Sequence, residues 1–305
     1  MSRISGKGDI VNSDRLQPLV SAHLGHSNVQ ILKHLDVLTA VSQFNTILCR
    51  GGVVLTLAIS NQKGGSAKTT TAINLGAAIA ILGKRVLLVD TDPQGHLAEG
   101  FGLPAGALER ELSLVLDGKL SLPEIIITVR PNLDLAPSNI KLSYLEASLF
   151  ARHRREDKLK NALAAAKNNY DIIIIDCPPS LGLLTVNALS AAESVLIPMV
   201  CDFYTMLGVG LLLEVIEEMR VELNPSLRIL GILPTRLNRT IHAREVLERT
   251  KLELKDRVKV FEPAVNESVR FKEAVAAGKT IFEHAPDIKG AEAYRNLAKE
   301  IADGL

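Results

Sequence analysis

The sequence predicts an α/β protein: a single doubly wound, mostly parallel sheet flanked by helices. Two observations carry that prediction. From residue 54 onward short apolar runs alternate with longer stretches of helical periodicity, the pattern of βαβ units. Several of the short runs are apolar almost throughout, as in Asp171-Ile-Ile-Ile-Ile-Asp176, which is what strands covered on both faces require. The chain has 305 residues, 47% of them hydrophobic and 23% charged, so it is long enough to bury a large core and is not of disordered composition.

Taken in order, residues 1–53 form an N-terminal extension of scattered Ser, Gly and His, with one expected helix over 28–48. Five basic side chains against three acidic ones give it a net charge of +2. Two readings of this extension stand: a short adaptor or regulatory segment, or a stretch preceding the native start, with translation beginning near Val53 or Val54. Strands are expected at 54–59, 85–89, 171–175, 194–199 and 228–233. Helices are expected at 69–82, 155–168, 184–192, 205–222, 241–257 and 290–302. The last carries Ala291, Tyr294, Leu297, Ala298 and Ile301 on one face. It lacks the bulky apolar and cationic faces of a membrane-surface helix, so it is expected to pack onto the domain.

Lys and Arg total 35 and Asp and Glu 34, a formal net charge of +1 that excludes holding nucleic acid or membrane by bulk charge. The three cysteines, Cys49, Cys177 and Cys201, have no paired spacing, which argues against a disulfide framework or zinc site. Cys177 is expected to be a buried thiol without a chemical role. No apolar run approaches the roughly 18 to 20 residues of a spanning helix, so a cytoplasmic protein is expected.

The chemistry is concentrated in Ser60-Asn-Gln-Lys-Gly-Gly-Ser-Ala-Lys-Thr-Thr70. An apolar strand runs into a small-residue loop and then into a helix, which is the construction of an anion cradle: successive backbone amides, with the helix dipole behind them. Lys63, Gly64, Gly65, Ser66, Ala67, Lys68, Thr69 and Thr70 are the candidate nucleotide-binding residues. Lys68 is placed to meet β and γ phosphate oxygens, and the Thr69 hydroxyl to be a Mg²⁺ ligand. Val86-Leu-Leu-Val-Asp-Thr-Asp-Pro-Gln-Gly95 sets Asp90 and Asp92 just beyond a strand end, beside a P-loop carried by the neighbouring strand. Asp176 ends the isoleucine strand, at the carboxyl edge where open α/β sheets bind ligands, and is a second candidate for the metal. Gly182 follows in a loop able to respond to a γ-phosphate.

The loop does not fit the strict Walker A pattern, because Gln62 and Ala67 stand at its two glycine positions. Its Lys-Gly-Gly-x-x-Lys-Thr form instead resembles the deviant Walker A motif of the ParA/MinD family of P-loop ATPases. The Asp-x-Asp-Pro-Gln-Gly segment, the 184–198 stretch, the 201–204 turn and the 289–301 helix resemble the ParA branch, so the resemblance runs from Val54 to the C-terminus. It implies an ATP- and Mg²⁺-dependent sandwich homodimer in which Lys63 reaches the partner subunit's phosphates and Asp92 orients the attacking water, with Asp90 in the Mg²⁺ shell. Lys63, Lys68 and Asp92 are thus the candidate catalytic residues. The resemblance further implies slow ATP hydrolysis stimulated by a ParB-like centromere-binding protein or a cargo adaptor. It also implies nonspecific DNA binding by the ATP-bound dimer and association with the nucleoid.

By the same resemblance Arg239 and Arg270 occupy positions of DNA-binding arginines. They lie in or near a basic window, 236–259, with eight basic and four acidic residues. The other reading of that window is a solvated helix with i,i+4 ion pairs such as Glu245 with Arg249. Three departures from the family pattern stand out. Ala67 replaces a glycine, which costs on the order of 1 kcal/mol if the position has positive φ. Leu207 replaces an acidic residue, and Glu262-Pro-Ala-Val-Asn-Glu267 lacks a customary arginine. The expected role is partition of plasmid or chromosomal DNA. Positioning of a protein cargo on the nucleoid is the alternative, and a membrane-cycling role like that of MinD is disfavoured by the C-terminal helix.

Overall fold

The computed structural model describes residues 54–255 and 257–304; the expected helix at 28–48 and the two readings of the extension lie outside them. Seven strands form one sheet: β1 (Leu55–Ile59), β2 (Val86–Asp90), β3 (Ile127–Arg130), β4 (Leu133–Ala136), β5 (Ile172–Asp176), β6 (Ser194–Val200) and β7 (Arg228–Thr235). Their order is β3-β4-β2-β5-β1-β6-β7, parallel except for the β3–β4 pair.

The run of four isoleucines explains the centre of this sheet. In a strand alternate side chains face opposite ways. Ile172 and Ile174 therefore join Leu55, Leu57, Ile59, Val86 and Leu88 under the helices Lys68–Ile81 and Lys289–Ala302. Ile173 and Ile175 join Leu87, Val89, Val195 and Ile197 against the other face, covered by helices Lys141–Leu149, Lys158–Ala164, Leu183–Ala191 and Phe203–Glu222. All four isoleucines are completely buried, and each contributes about 1.5–3 kcal/mol by leaving water. The C-terminal helix packs as expected: Ala291, Tyr294, Leu297, Ala298 and Ile301 are buried, and the Tyr294 hydroxyl lies 3.0 Å from Thr71 Oγ1 on the Lys68–Ile81 helix. No described helix is long and apolar enough to cross a membrane.

Three features differ from the sequence expectation. β3 and β4, an antiparallel hairpin turning at Asn132 in left-handed conformation, extend the sheet at one edge. The expected helix at 155–168 breaks into a 3-10 turn, the helix Lys158–Ala164 and a second 3-10 turn. Most consequentially, β1 and β2 are not neighbours, because β5 lies between them, pairing Ile59 with Asp176 on one side and Asp90 with Asp176 on the other. The strand neighbouring the phosphate loop thus carries Asp176, not Asp90.

Candidate functional site

The loop after β1 is pinned at its entrance. Asn61 Nδ2 donates to the Pro198 carbonyl at 2.6 Å, and Asn61 Oδ1 accepts the Lys63 amide at 2.9 Å. Gly65 (φ 74°) and Ala67 (φ 69°) then adopt left-handed conformations, the kind of local geometry that turns successive amides into a concave nest. Ala67 thus carries the strain anticipated for a residue with a Cβ in that conformation, on the order of 1 kcal/mol. The Lys68–Ile81 helix begins there with no side-chain cap and no acidic residue in its first turn. Its leading amides are left for an external anion.

Lys68 is buried, with Nζ 3.4 Å from the Lys63 carbonyl oxygen. Burial lowers its pKa, against the opposing pull of Asp176, Cys177 and Asp92. Asp176 is completely buried, and neither of its carboxylate oxygens has a hydrogen-bond partner. Burial pushes its pKa up, while the nearby Thr69 hydroxyl and Lys68 ammonium act in the opposite direction. A buried carboxylate with no hydrogen-bond partner is costly while ionised, and a bound cation would offset that cost.

Asp90 is also fully buried, and burial and then Asp176 raise its pKa. Its two oxygens accept the amides of Asp92 at 3.0 Å and Leu97 at 3.1 Å. It therefore shapes the loop that follows. Asp92 sits in that loop with Oδ1 accepting the Gln94 amide at 3.0 Å, and its carbonyl accepts the Ser138 hydroxyl. The turn closes at Gly95 (φ 70°), where a Cβ would come within 2.6 Å of the Ala105 side chain and 2.9 Å of the Ser138 carbonyl.

Among the described residues no three His, Cys, Asp or Glu side chains gather into a metal cage. Mg²⁺ does not require one: it takes one or two carboxylates together with waters and substrate phosphates. The orphaned oxygens of Asp176, beside Thr69, fit that donor set. Cys177 is buried, and burial and Asp176 raise its thiol pKa, which suits a packing residue. Gly182 opens the Leu183–Ala191 helix. A Cβ there would lie 2.7 Å from Glu146 Oε1, the oxygen that accepts the Leu184 amide at 3.2 Å.

Lys63 pairs with Asp202, just past β6, within the same chain. Gly64, Gly65 and Thr70 lie with it along the loop and the first helical turn. Arg239 and Arg270 are exposed, well away from that loop in the chain. Their segments run side by side, joined by the Leu237–Asn266 bridge and by the Glu267 amide donating to the Leu237 carbonyl at 3.1 Å. Arg270 pairs with Glu273 at 2.8 Å. In the basic window Arg249 pairs with Glu253 rather than with Glu245, because that spacing also places the two on one helix face. Lys251 pairs with Glu248 and Glu262, and Lys259 with Glu300. Arg239 and Arg244 stand exposed outside the ion pairs of the described residues.

Sequence reasoning missed two contributors. Thr235 Oγ1 donates to the Ser66 carbonyl at 3.0 Å, and Arg236 Nη1 donates to the Gly65 carbonyl at 3.3 Å. Arg236 is thereby drawn from the basic window to the phosphate loop. The signal available was the Pro-Thr-Arg sequence at the end of a buried strand, on the same sheet edge as the loop.

An amide nest on an uncapped helix, a buried lysine and an unpartnered carboxylate at the adjoining strand end define a P-loop nucleotide-binding protein of the deviant Walker A class. The family described as "AAA domain" matches residues 54–229. The chain is 46% identical over 248 residues to the sporulation initiation inhibitor protein Soj of Bacillus subtilis, covering 81% of this chain and 97% of Soj. It is 41% identical over 251 residues to the chromosome partitioning protein ParA of Caulobacter vibrioides, covering 80% and 92%. A solved structure named cobyrinic acid a,c-diamide synthase, from Mycobacterium smegmatis with bound ATP analog and magnesium, superposes with a TM-score of 0.71 at 39% identity. The match covers 82% of this chain and 94% of that one. The chain belongs to the ParA/Soj family of P-loop ATPases.

Proposed function

We propose that the protein is a Mg²⁺-dependent ATPase that partitions plasmid or chromosomal DNA, working as a nucleotide-gated dimer on the nucleoid. The observation that carries the chemistry is buried Lys68 beside the partnerless carboxylate of Asp176, at the mouth of an amide nest. ATP phosphates would occupy the nest and meet Lys68. Mg²⁺, held by Thr69 and Asp176 and through water by Asp90, would supply charge neutralisation of the phosphates. Asp92, held by its own turn, orients the attacking water. Lys63 exchanges Asp202 for the phosphates of the facing subunit when the sandwich dimer closes.

DNA binding would fall to Arg239 and Arg270, doubled by dimerisation, with a ParB-like protein stimulating hydrolysis and so releasing the DNA. The name of the Caulobacter relative, a chromosome partitioning protein, favours DNA as the cargo over a protein cluster. Burial of the C-terminal helix against the Lys68–Ile81 helix disfavours a membrane cycle.

Arg239→Ala and Arg270→Ala test the DNA-binding arm. Each is expected to weaken nonspecific DNA binding several-fold and to reduce the slope of log affinity against log salt by about one phosphate contact. ATP affinity should be unchanged. DNA titrations by fluorescence anisotropy over a salt series check this, and parental DNA binding by the double variant would place the DNA surface elsewhere.

A further inference from the structure

The two hydrogen bonds behind the phosphate loop assign a function to the end of β7. Thr235 is completely buried, and its hydroxyl donates to the Ser66 carbonyl. The next residue, Arg236, adopts a left-handed backbone (φ 49°), costly for a residue with a Cβ, and its guanidinium donates to the Gly65 carbonyl. Its other terminal nitrogen pairs with Glu267 at 3.0 Å. Two consecutive residues of one strand end thus hold two consecutive carbonyls of a loop some 170 positions earlier.

Peptide planarity gives this contact its meaning. The 65–66 and 66–67 peptides are trans, and in a trans peptide the carbonyl oxygen and the following amide hydrogen point to opposite sides. Holding the Gly65 carbonyl outward fixes the Ser66 amide inward; holding the Ser66 carbonyl outward does the same for the Ala67 amide. The strain at Ala67 makes such support necessary, since nothing in its own conformational preference keeps that turn in place. The contact also explains a left-handed arginine: its backbone conformation occurs where its guanidinium reaches both Gly65 and Glu267.

We propose that Thr235 and Arg236 are positioning residues for nucleotide binding, locking the Ser66 and Ala67 amides toward the phosphates from behind the loop. This rests on the nucleotide-binding assignment above. The test is equilibrium binding of Mg-ATP and Mg-ADP by calorimetry to the full chain and to Thr235→Val, Thr235→Ser and Arg236→Ala, well below their melting temperatures. Thr235→Val keeps the volume and removes the donor, Thr235→Ser keeps the donor, and Arg236→Ala keeps the backbone strain while removing the guanidinium.

Thr235→Val is expected to weaken both nucleotides about five- to ten-fold, the worth of one buried hydrogen bond, and Arg236→Ala, whose bond to Gly65 is exposed, about three-fold, with Thr235→Ser within about two-fold of the parent. A merely structural role would lower the melting temperature and leave both affinities alone. Parental affinity in folded Thr235→Val and Arg236→Ala overturns the proposal, as does a loss in Thr235→Ser equal to that in Thr235→Val. Arg236→Ala alters an exposed side chain and so keeps the test decisive if Thr235→Val does not fold. Failure of the parent itself to bind either nucleotide overturns the nucleotide assignment instead.

Discussion

Lys68→Ala is expected to abolish measurable nucleotide binding, weakening Mg-ATP by at least about 100-fold. The lysine is buried, so its charge is screened little by water, and it lies at the start of the helix whose leading amides have no other acceptor. Its removal takes away the cation that opposes the rise in the Asp176 pKa. The cradle would then offer the phosphates only its backbone amides, with no buried cation to meet them. The variant should still fold, because Asp176 can take up a proton and because a desolvated ammonium is removed as well. Calorimetric titration together with a thermal melt checks both parts. Mg-ATP binding within three-fold of the parent would show that the phosphates lie elsewhere.

Asp92→Ala should have the opposite profile: ATP affinity within about three-fold of the parent and hydrolysis slower by at least about 100-fold, the usual scale for losing a group that positions or activates water. Asp92 stands in the loop after β2, two residues beyond Asp90, and is largely buried. Part of its carboxylate is already committed, since Oδ1 receives the Gln94 amide. Asp92→Ala therefore also costs about 1 kcal/mol of stability through that lost bond. Asp92→Asn separates the two effects, because its amide oxygen can keep the turn while the negative charge is gone. Single-turnover hydrolysis measures the chemical step directly, and a parental rate in both variants would move water activation to another residue.

What was legible in the sequence is what local pattern encodes. The five parallel strands, the phosphate loop and the packed face of the C-terminal helix follow from periodicity, small residues and apolar spacing. The conditional strain at Ala67 was also readable, because only one conformation there is costly, and the backbone adopts it. Strand order was not readable, since parallel pairing depends on contacts between distant segments. That is why Asp90 was expected beside the phosphate loop when β5 and Asp176 intervene.

The β3–β4 hairpin escaped because its strands are only four residues each. The alternation in Ile127-Thr-Val-Arg130 and Leu133-Asp-Leu-Ala136, around Pro131-Asn132, was its only local mark. Thr235 and Arg236 escaped for a similar reason. Arg236 counts as one more cation in a basic window until the fold brings the end of β7 against the loop after β1.

The measurement closest to the central claim is equilibrium binding of nonspecific duplex DNA by the full chain with Mg-ATP, with Mg-ADP and without nucleotide, over a salt series. The account predicts binding with Mg-ATP alone, falling steeply as salt rises. Equal binding in all three states, or none in any, would contradict it.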